Sequence, residues 1–266
     1  GANAFPVLID EGNRILGAAS RSGLGKVLVY GHEYYLTTTI KTGDATKILF
    51  NAIAWMSNKA APVIGVHSSL TTLFNTLKTA GYNAQYTTPA QLASVNVYIG
   101  TAYTAYTEAE YQSFRTFISN GGGLIIGGQG WSFGGDVLDF PGNKILSGSG
   151  ILITKAYDTT GGLDTISATP PSPLLGASFA LARVSDFATG VSYLSAADQS
   201  LAAATVVRAA SILPISVKEF YDQSATLLAS QNPTINAATP LSPANNIPGR
   251  VATRIRHRYT QELPPN

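Results

Sequence analysis

Cysteine is absent from all 266 residues of this chain, and charged residues make up only 12% of it. Without cysteine, the chain has no disulfide framework, no thiolate metal site and no cysteine nucleophile. The charged fraction is about half that of an average globular protein, and small polar residues take its place. This composition is typical of secreted bacterial proteins, so we expect a secreted, extracellular protein.

Two further absences narrow the possible functions. The formal net charge of +2 lacks the strong basic footprint of a nucleic-acid-binding protein, so we expect no nucleic-acid partner. No apolar run reaches the length of a transmembrane helix, so we expect no membrane span. The chain starts at Gly1 rather than at Met and ends near Pro264 and Pro265, which suggests a piece of a larger protein.

Glycine, in contrast, is concentrated around one short apolar run. Residues 120–131 have the sequence NGGGLIIGGQGW, in which residues 124–126 lie between two glycine clusters. A continuously apolar run between turns predicts a strand that is buried on both faces, and therefore central in a mainly parallel sheet. The turn that follows would lie at the carboxyl end of this strand, where open α/β sheets place their sites.

Short strands and helices alternate over the first 155 residues. Three apolar runs separated by turns predict an antiparallel meander at the N-terminus: residues 7–9, 15–19 and 26–30. Four further strands are predicted, at residues 63–66, 82–86, 95–100 and 124–126, with helices between them at 44–58, 70–80 and 107–119. We also expect a strand at residues 151–154. The alternation predicts an α/β fold with a mainly parallel, Rossmann-like sheet and an antiparallel N-terminal extension.

The second half of the chain has a different pattern. From residue 174 to about residue 231 it is rich in Ala, Ser and Leu at helical spacing. The predicted helices are residues 173–183, 185–193, 196–211 and 216–230. We therefore divide the chain into an α/β domain at residues 1–165, a small all-α domain at 166–232, and a linker or arm at 233–266 that leads toward a missing downstream domain.

A histidine and a glutamate follow the third strand. The sequence His32-Glu33-Tyr34-Tyr35-Leu36 begins like the zinc motif H-E-x-x-H, which needs two histidines on one helical face. Leu36 occupies the position of the second histidine. We therefore expect no zinc here, and expect His32 to bond backbone groups at the strand end with Glu33 beside it.

A second histidine, His67, precedes Ser68 and Ser69 at a strand-to-helix junction. The segment lacks the G-x-S-x-G pattern of a nucleophile elbow, so a serine is expected to cap the next helix. Two alternatives stay open. One is a weak anion site at the start of this helix. The other is a stand-alone hydrolase that uses His67, Ser68 and a carboxylate near the strand ends.

Aromatic and amide side chains are predicted near the other strand ends. Gln129 cannot act as a nucleophile, but its amide can both donate and accept hydrogen bonds. Tyr103 and Trp131 are predicted near it, and such a combination favours a sugar-binding surface, a protein interface or simple packing. The candidate ligand or interface residues are His32, His67, Ser68, Tyr103, Gln129 and Trp131.

Five motifs occur in an order that is similar to a known family. They are GHEYYL at 31–36, FNAIAW at 50–55, GVHSSL at 65–70, the glycine-rich run at 120–131 and FPGNKIL at 140–146. Together they resemble the N-terminal region of secreted, enhancin-like, mucin-targeting zinc metallopeptidases of the immunomodulating type. The TRP-channel-associated factors of animals carry a similar region.

This resemblance implies a glutamine-amidotransferase-like α/β domain, then a helical domain, then a downstream catalytic domain that binds zinc through H-E-x-x-H. Neither that motif nor the amidotransferase cysteine is present, so no catalytic, cofactor-binding or metal-binding residue carries over to this chain. The resemblance therefore implies a non-catalytic accessory region of a zinc metallopeptidase. Its partners would be the downstream catalytic domain of the same polypeptide and a glycoprotein or glycan.

Overall fold

The computed structural model describes residues 1, 3–38, 40, 44–57, 59–157 and 171–230 of the chain. The chain divides into two compact units, Asn3–Pro171 and the segment that begins at Ser172. The predicted boundary near residue 165 and the predicted linker or arm at 233–266 lie outside the described residues. The division of the chain into domains therefore stays a prediction.

The first unit is built on a seven-stranded sheet with the order β1-β2-β3-β7-β6-β4-β5. Its strands are β1 (Ala4–Ile9), β2 (Ile15–Ser22), β3 (Gly25–Tyr30), β4 (Val63–Val66), β5 (Asn83–Tyr86), β6 (Val97–Thr101) and β7 (Gly123–Gly127). Strands β1, β2 and β3 pair antiparallel, and all other pairs are parallel. The predicted α/β fold with a mainly parallel sheet and an antiparallel N-terminal extension is confirmed.

Strand β7 lies at the centre of the sheet, as its apolar sequence predicts. Leu124, Ile125 and Ile126 have no exposed surface. Because side chains alternate along a strand, Ile125 faces one layer of the core and its two neighbours face the other. Parallel strands that are covered on both faces need such continuous apolar sequences.

Helices cover the two faces of the sheet. They are α1 (Ala45–Met56) and α2 (Thr71–Thr79) on one face, and α3 (Glu108–Ser119) with the short α4 (Pro141–Ile145) on the other. The predicted capping box of α3 is present, because Thr107 and Glu110 bond each other's backbone N–H. The predicted serine cap of α2 is wrong. Leu70 occupies that position, and no side chain caps the helix.

The predicted strand at residues 151–154 is also wrong, because these residues pair with no strand. The buried side chain of Asn143 takes the place of a strand partner. Its amide group donates to the carbonyl groups of Val137 (2.7 Å) and Ile153 (2.9 Å), and its oxygen accepts from the N–H of Ile153 (2.9 Å). An apolar run can thus be ordered by one side chain rather than by a sheet.

The second unit is helical, with α5 (Ala177–Ala188), α6 (Ala196–Ile212) and α7 (Lys218–Ser230). The predicted helices at 196–211 and 216–230 correspond to α6 and α7. The predicted pair at 173–183 and 185–193 is wrong, since a single helix, α5, spans their junction and ends before Gly190, whose φ is +73°. In the described part of the chain, no helix has the length and apolar content needed to cross a membrane.

Candidate functional site

The carboxyl ends of β3, β7, β6, β4 and β5 meet at one end of the sheet, here called the carboxyl edge. From β4 the chain continues through α2 to β5, whereas from β6 it continues through α3, on the opposite face, to β7. The direction of the connections therefore reverses between β4 and β6. In open α/β sheets, ligands bind in the crevice outside such a switch point.

His67 and Thr104 lie on the two sides of this switch point. His67 follows β4 and Thr104 follows β6, with 3.4 Å between His67 Nε2 and Thr104 Oγ1. The other ring nitrogen, Nδ1, accepts from the Ser69 hydroxyl (2.7 Å) and from the Ser69 backbone N–H (3.3 Å). The proton of the neutral ring is therefore assigned to Nε2, which donates to Thr104. Burial lowers the pKa of His67, which favours this neutral form.

Tyr103 links three loops of the carboxyl edge. Its hydroxyl donates to Glu33 Oε2 (2.7 Å), in the loop after β3, and accepts from the backbone N–H of Gln129 (2.9 Å), in the loop after β7. Burial and the hydrogen bond to Glu33 raise the pKa of Tyr103. The phenol is therefore a stable neutral donor, and it fixes the spacing between loops that are distant in sequence.

His32 completes this cluster. Its Nδ1 accepts from the N–H of Tyr34 (3.1 Å), and Glu33 Oε2 lies 3.2 Å from the same nitrogen. Burial lowers the pKa of His32, and the nearby Glu33 opposes this effect. In the neutral ring of His32, Nδ1 accepts the hydrogen bond from the Tyr34 N–H, and Glu33 accepts its hydrogen bond from the Tyr103 hydroxyl. The structure therefore shows the strand-end contacts that the sequence predicts for His32.

The remaining candidate residues lie apart from these contacts. The side chain of Trp131 is 50% exposed, and its ring lies 5.8 Å from that of Tyr157. Ser68 is exposed, and Ser69, not Ser68, contacts His67. Sequence reasoning missed Ser69 as the partner of His67 and missed Thr104 entirely. The available signal was that Thr104 closely follows a buried strand. Whether any of these residues binds a ligand stays a prediction.

The polar side chains of the carboxyl edge contact hydroxyl, carboxylate and backbone groups of the same edge. Among the described residues, no three His, Asp or Glu side chains lie close enough together to hold a metal ion. His67 contacts two hydroxyl groups, and none of its contacts in the described part of the chain is with a carboxylate. A catalytic serine–histidine pair needs a third group that orients the imidazole and stabilises its protonated form. A neutral threonine hydroxyl stabilises a protonated imidazole poorly.

Comparison with known proteins identifies the family. Residues 1–137, just over half of the chain, match the TCAF_N family, described as TRPM8, N-terminal domain. The chain belongs to this family. TRPM8 channel-associated factor 2 of Bos taurus is 36% identical over 180 residues, which cover 65% of this chain and 19% of that protein. TRPM8 channel-associated factor 2 of Homo sapiens is 34% identical over 180 residues, which again cover 65% of this chain and 19% of that protein.

A solved structure shares the fold. The IMPa metallopeptidase in complex with T-antigen superposes with a TM-score of 0.50 and 17% identity, over 95% of this chain and 30% of that chain. At this identity the likeness shows the fold alone. The predicted resemblance to the channel-associated factors is confirmed, because the chain belongs to their family. For the enhancin-like metallopeptidases, the comparison shows a shared fold only. The chain spans 19% of the length of the curated relatives named here.

Proposed function

We propose that this chain is a non-catalytic accessory module of a larger polypeptide and that the carboxyl edge of its sheet is a binding surface. The observation that carries this proposal is the Tyr103 hydroxyl, which holds Glu33 and Gln129 together. The polar groups of the edge are bonded to one another, which suits a preorganised surface more than a reactive one. The outer side chains Tyr103 (38% exposed) and Trp131 (50% exposed) remain open to a partner.

The parent polypeptide that we propose is a secreted zinc metallopeptidase that acts on glycoproteins. Its zinc would lie in a separate catalytic domain, and this module would position the glycoprotein or the catalytic domain. The domain order implied by the motif resemblance and the fold shared with the IMPa metallopeptidase support this reading. A sugar would be recognised at the edge by stacking on Trp131 and by hydrogen bonds to Gln129.

A second candidate function follows from the family. Relatives that share this region are named for their association with the TRPM8 channel. In this candidate the same edge binds a protein partner, and exposed aromatic residues such as Tyr103 and Trp131 are enriched at protein interfaces. Retention of detergent-solubilised TRPM8 by the wild-type chain, but not by the Trp131→Ala variant, would support it. Equal retention by both proteins would count against it.

The main proposal is tested by separating binding from cleavage. The purified chain is incubated with a mucin-type O-glycopeptide and zinc, with and without a chelator, and the products are followed by mass spectrometry. Binding of the same peptide is measured by calorimetry. We expect binding without cleavage, and weaker binding by Trp131→Ala but not by the control Tyr193→Ala, which alters an exposed tyrosine of the helical unit (81% exposed). Cleavage that the chelator abolishes would show that the chain is not merely an accessory module.

A further inference from the structure

Charges are segregated between the two ends of the sheet. In the described part of the first unit, every carboxylate lies in the β1–β2 turn, in a loop after a strand's carboxyl end, or at the start of a helix near that edge. These residues are Asp10, Glu11, Glu33, Asp44, Glu108, Glu110, Asp136 and Asp139. Strand β2 runs antiparallel to β3, which places the β1–β2 turn at the carboxyl edge as well.

At the opposite end of the sheet, here called the amino edge, the charged side chains of the described residues are all basic. Arg21 and Lys26 flank the β2–β3 turn, Lys59 lies between α1 and β4, and Lys78 lies in the last turn of α2. Among the described residues, none of these four side chains lies within ion-pair distance of a carboxylate. Most other cations in the described part of this unit have such partners: the pairs are Lys47–Asp44, Arg14–Asp10, Arg115–Glu108 and Lys144–Asp139. Lys155 forms no ion pair with a described carboxylate, but it follows Thr154, whose carbonyl lies beside Gly130 at the carboxyl edge.

An apolar side chain projects from the same edge. Leu24, at the tip of the β2–β3 hairpin, is 81% exposed. The tip is nevertheless firmly held, because the N–H of Leu24 donates to the carbonyl of Ser119 at the end of α3 (3.0 Å). Gly25 allows this approach, since a side chain there would collide with the carbonyl of Ile118. A single exposed leucine is common on protein surfaces, so Leu24 matters here only because it lies at the same edge as the cations.

Aromatic rings lie beside these cations. The Trp55 ring is approached by Lys26 Nζ at 5.2 Å and by the Arg21 guanidinium at 5.9 Å. The ring of Phe5, which is 40% exposed, meets Trp55 edge-on at 6.0 Å. Tryptophan and long cationic side chains are favoured at a membrane–water interface, where the ring and the aliphatic stem lie among lipids and the charge meets the headgroups.

We propose that the amino edge docks on an anionic phospholipid surface, with Leu24 inserted among the acyl chains and Arg21, Lys59 and Lys78 against the headgroups. The ammonium group of Lys26 already donates to the backbone carbonyl of Trp55. A bilayer offers negative charge and hydrocarbon together over a broad area, and this edge presents cations and an apolar tip together. The formal net charge of +2 is low for a nucleic-acid-binding protein. A local cluster of basic residues is nevertheless sufficient to attract a protein to anionic lipid headgroups. This docking needs no membrane-spanning helix and does not depend on the function of the carboxyl edge.

The test is co-sedimentation of the full 266-residue chain with large vesicles. Vesicles of phosphatidylcholine with phosphatidylserine should bind it, and vesicles of phosphatidylcholine alone should not. Each basic residue near an anionic membrane changes binding about fivefold, so Arg21→Gln/Lys59→Gln/Lys78→Gln should weaken partitioning by about 100-fold. Leu24→Ser should weaken it by about tenfold, through the lost apolar contact. Added salt should weaken binding of the wild-type chain.

Matched controls separate this surface from net charge and general hydrophobicity. Lys47→Gln/Lys144→Gln/Arg183→Gln removes the same charge from residues that already have acidic partners, and Ile15→Ser removes an exposed apolar side chain (42%) at the carboxyl edge. Both control variants should bind the phosphatidylserine vesicles within about twofold of the wild-type chain. This range includes the small effect of the change in net charge. The proposal is overturned if the two triple variants bind equally, if the wild-type chain ignores phosphatidylserine, or if it binds soluble polyglutamate but no vesicle.

Discussion

The phenol oxygen of Tyr103 lies 2.7 Å from the carboxylate of Glu33, 70 residues earlier in the chain. The contact connects the loop after β6 to the loop after β3. Strand β7 lies between these strands, and the loop after it donates the N–H of Gln129 to the same oxygen. A single hydroxyl therefore sets the relative positions of three loops. Any ligand that uses the carboxyl edge meets a surface that this group has already arranged.

Tyr103→Phe should keep the ring and lose this link. The side chain is 38% exposed, so water can replace much of the lost hydrogen bonding, and we expect the free energy of unfolding to fall by only about 1 kcal/mol. Urea denaturation measures this change. Tyr193→Phe, at a position that is 81% exposed, serves as the control and should change the free energy by less than about 0.5 kcal/mol. Equal stability of the two variants would mean that the Tyr103 hydroxyl does not hold the loops.

Stability should depend on the protonation of His67 and His32. Burial lowers the pKa of both residues in the folded state. Below about pH 6.5, these two histidines are therefore protonated more fully in the unfolded chain than in the folded chain. Their contribution to stability is therefore complete above about pH 6.5 and is lost as the pH falls through the folded-state pKa values. Denaturant midpoints between about pH 7.5 and about pH 5 measure this loss. His32→Asn/His67→Asn should flatten the profile, and an unchanged slope would contradict the assignment.

Asn143→Ala should destabilise the first unit strongly. The buried amide of Asn143 satisfies the carbonyls of Val137 and Ile153 and the N–H of Ile153. Each buried group left without a partner costs about 1–3 kcal/mol, so we expect a loss of at least about 3 kcal/mol in the free energy of unfolding. The exposed Asn51→Ala on α1 is the matched control and should stay within about 0.5 kcal/mol of the wild-type chain. A loss for Asn143→Ala as small as for the control would show that residues 151–154 are ordered in another way.

The sequence allows the sheet to be predicted because its signals are local. The apolar residues 124–126 between glycines predict a central strand, and Thr107 with Glu110 predicts the start of α3. The run at residues 151–154 has the same apolar character as a strand, yet its partner is the side chain of Asn143. Pattern alone cannot distinguish the two, because the competing hydrogen bonds come from elsewhere in the fold.

The sequence predicts the contacts of the candidate site less fully than the sheet, because these contacts depend on the order of the strands. His67 and Gln129 follow recognisable strands, so each could be identified from its own segment. The contact between His67 and Thr104 exists only because β6 lies next to β4, and that neighbourhood results from the reversal of the connections after β5. No single segment encodes this reversal. The Tyr103–Glu33 contact depends in the same way on the placement of β7 between β3 and β6.

Ser69 should not react with a fluorophosphonate probe, although its hydroxyl lies 2.7 Å from His67 Nδ1. That nitrogen also accepts the N–H of Ser69, and the opposite nitrogen faces Thr104 rather than a carboxylate, so a protonated ring would lack its stabilising partner. Labelling of the wild-type chain, read by mass spectrometry, should equal that of Ser69→Ala and Ser68→Ala, while a known serine hydrolase in the same tube is labelled. Labelling of Ser69 that disappears in His67→Asn would identify an activated nucleophile. It would replace the proposed accessory role of the carboxyl edge with a catalytic one.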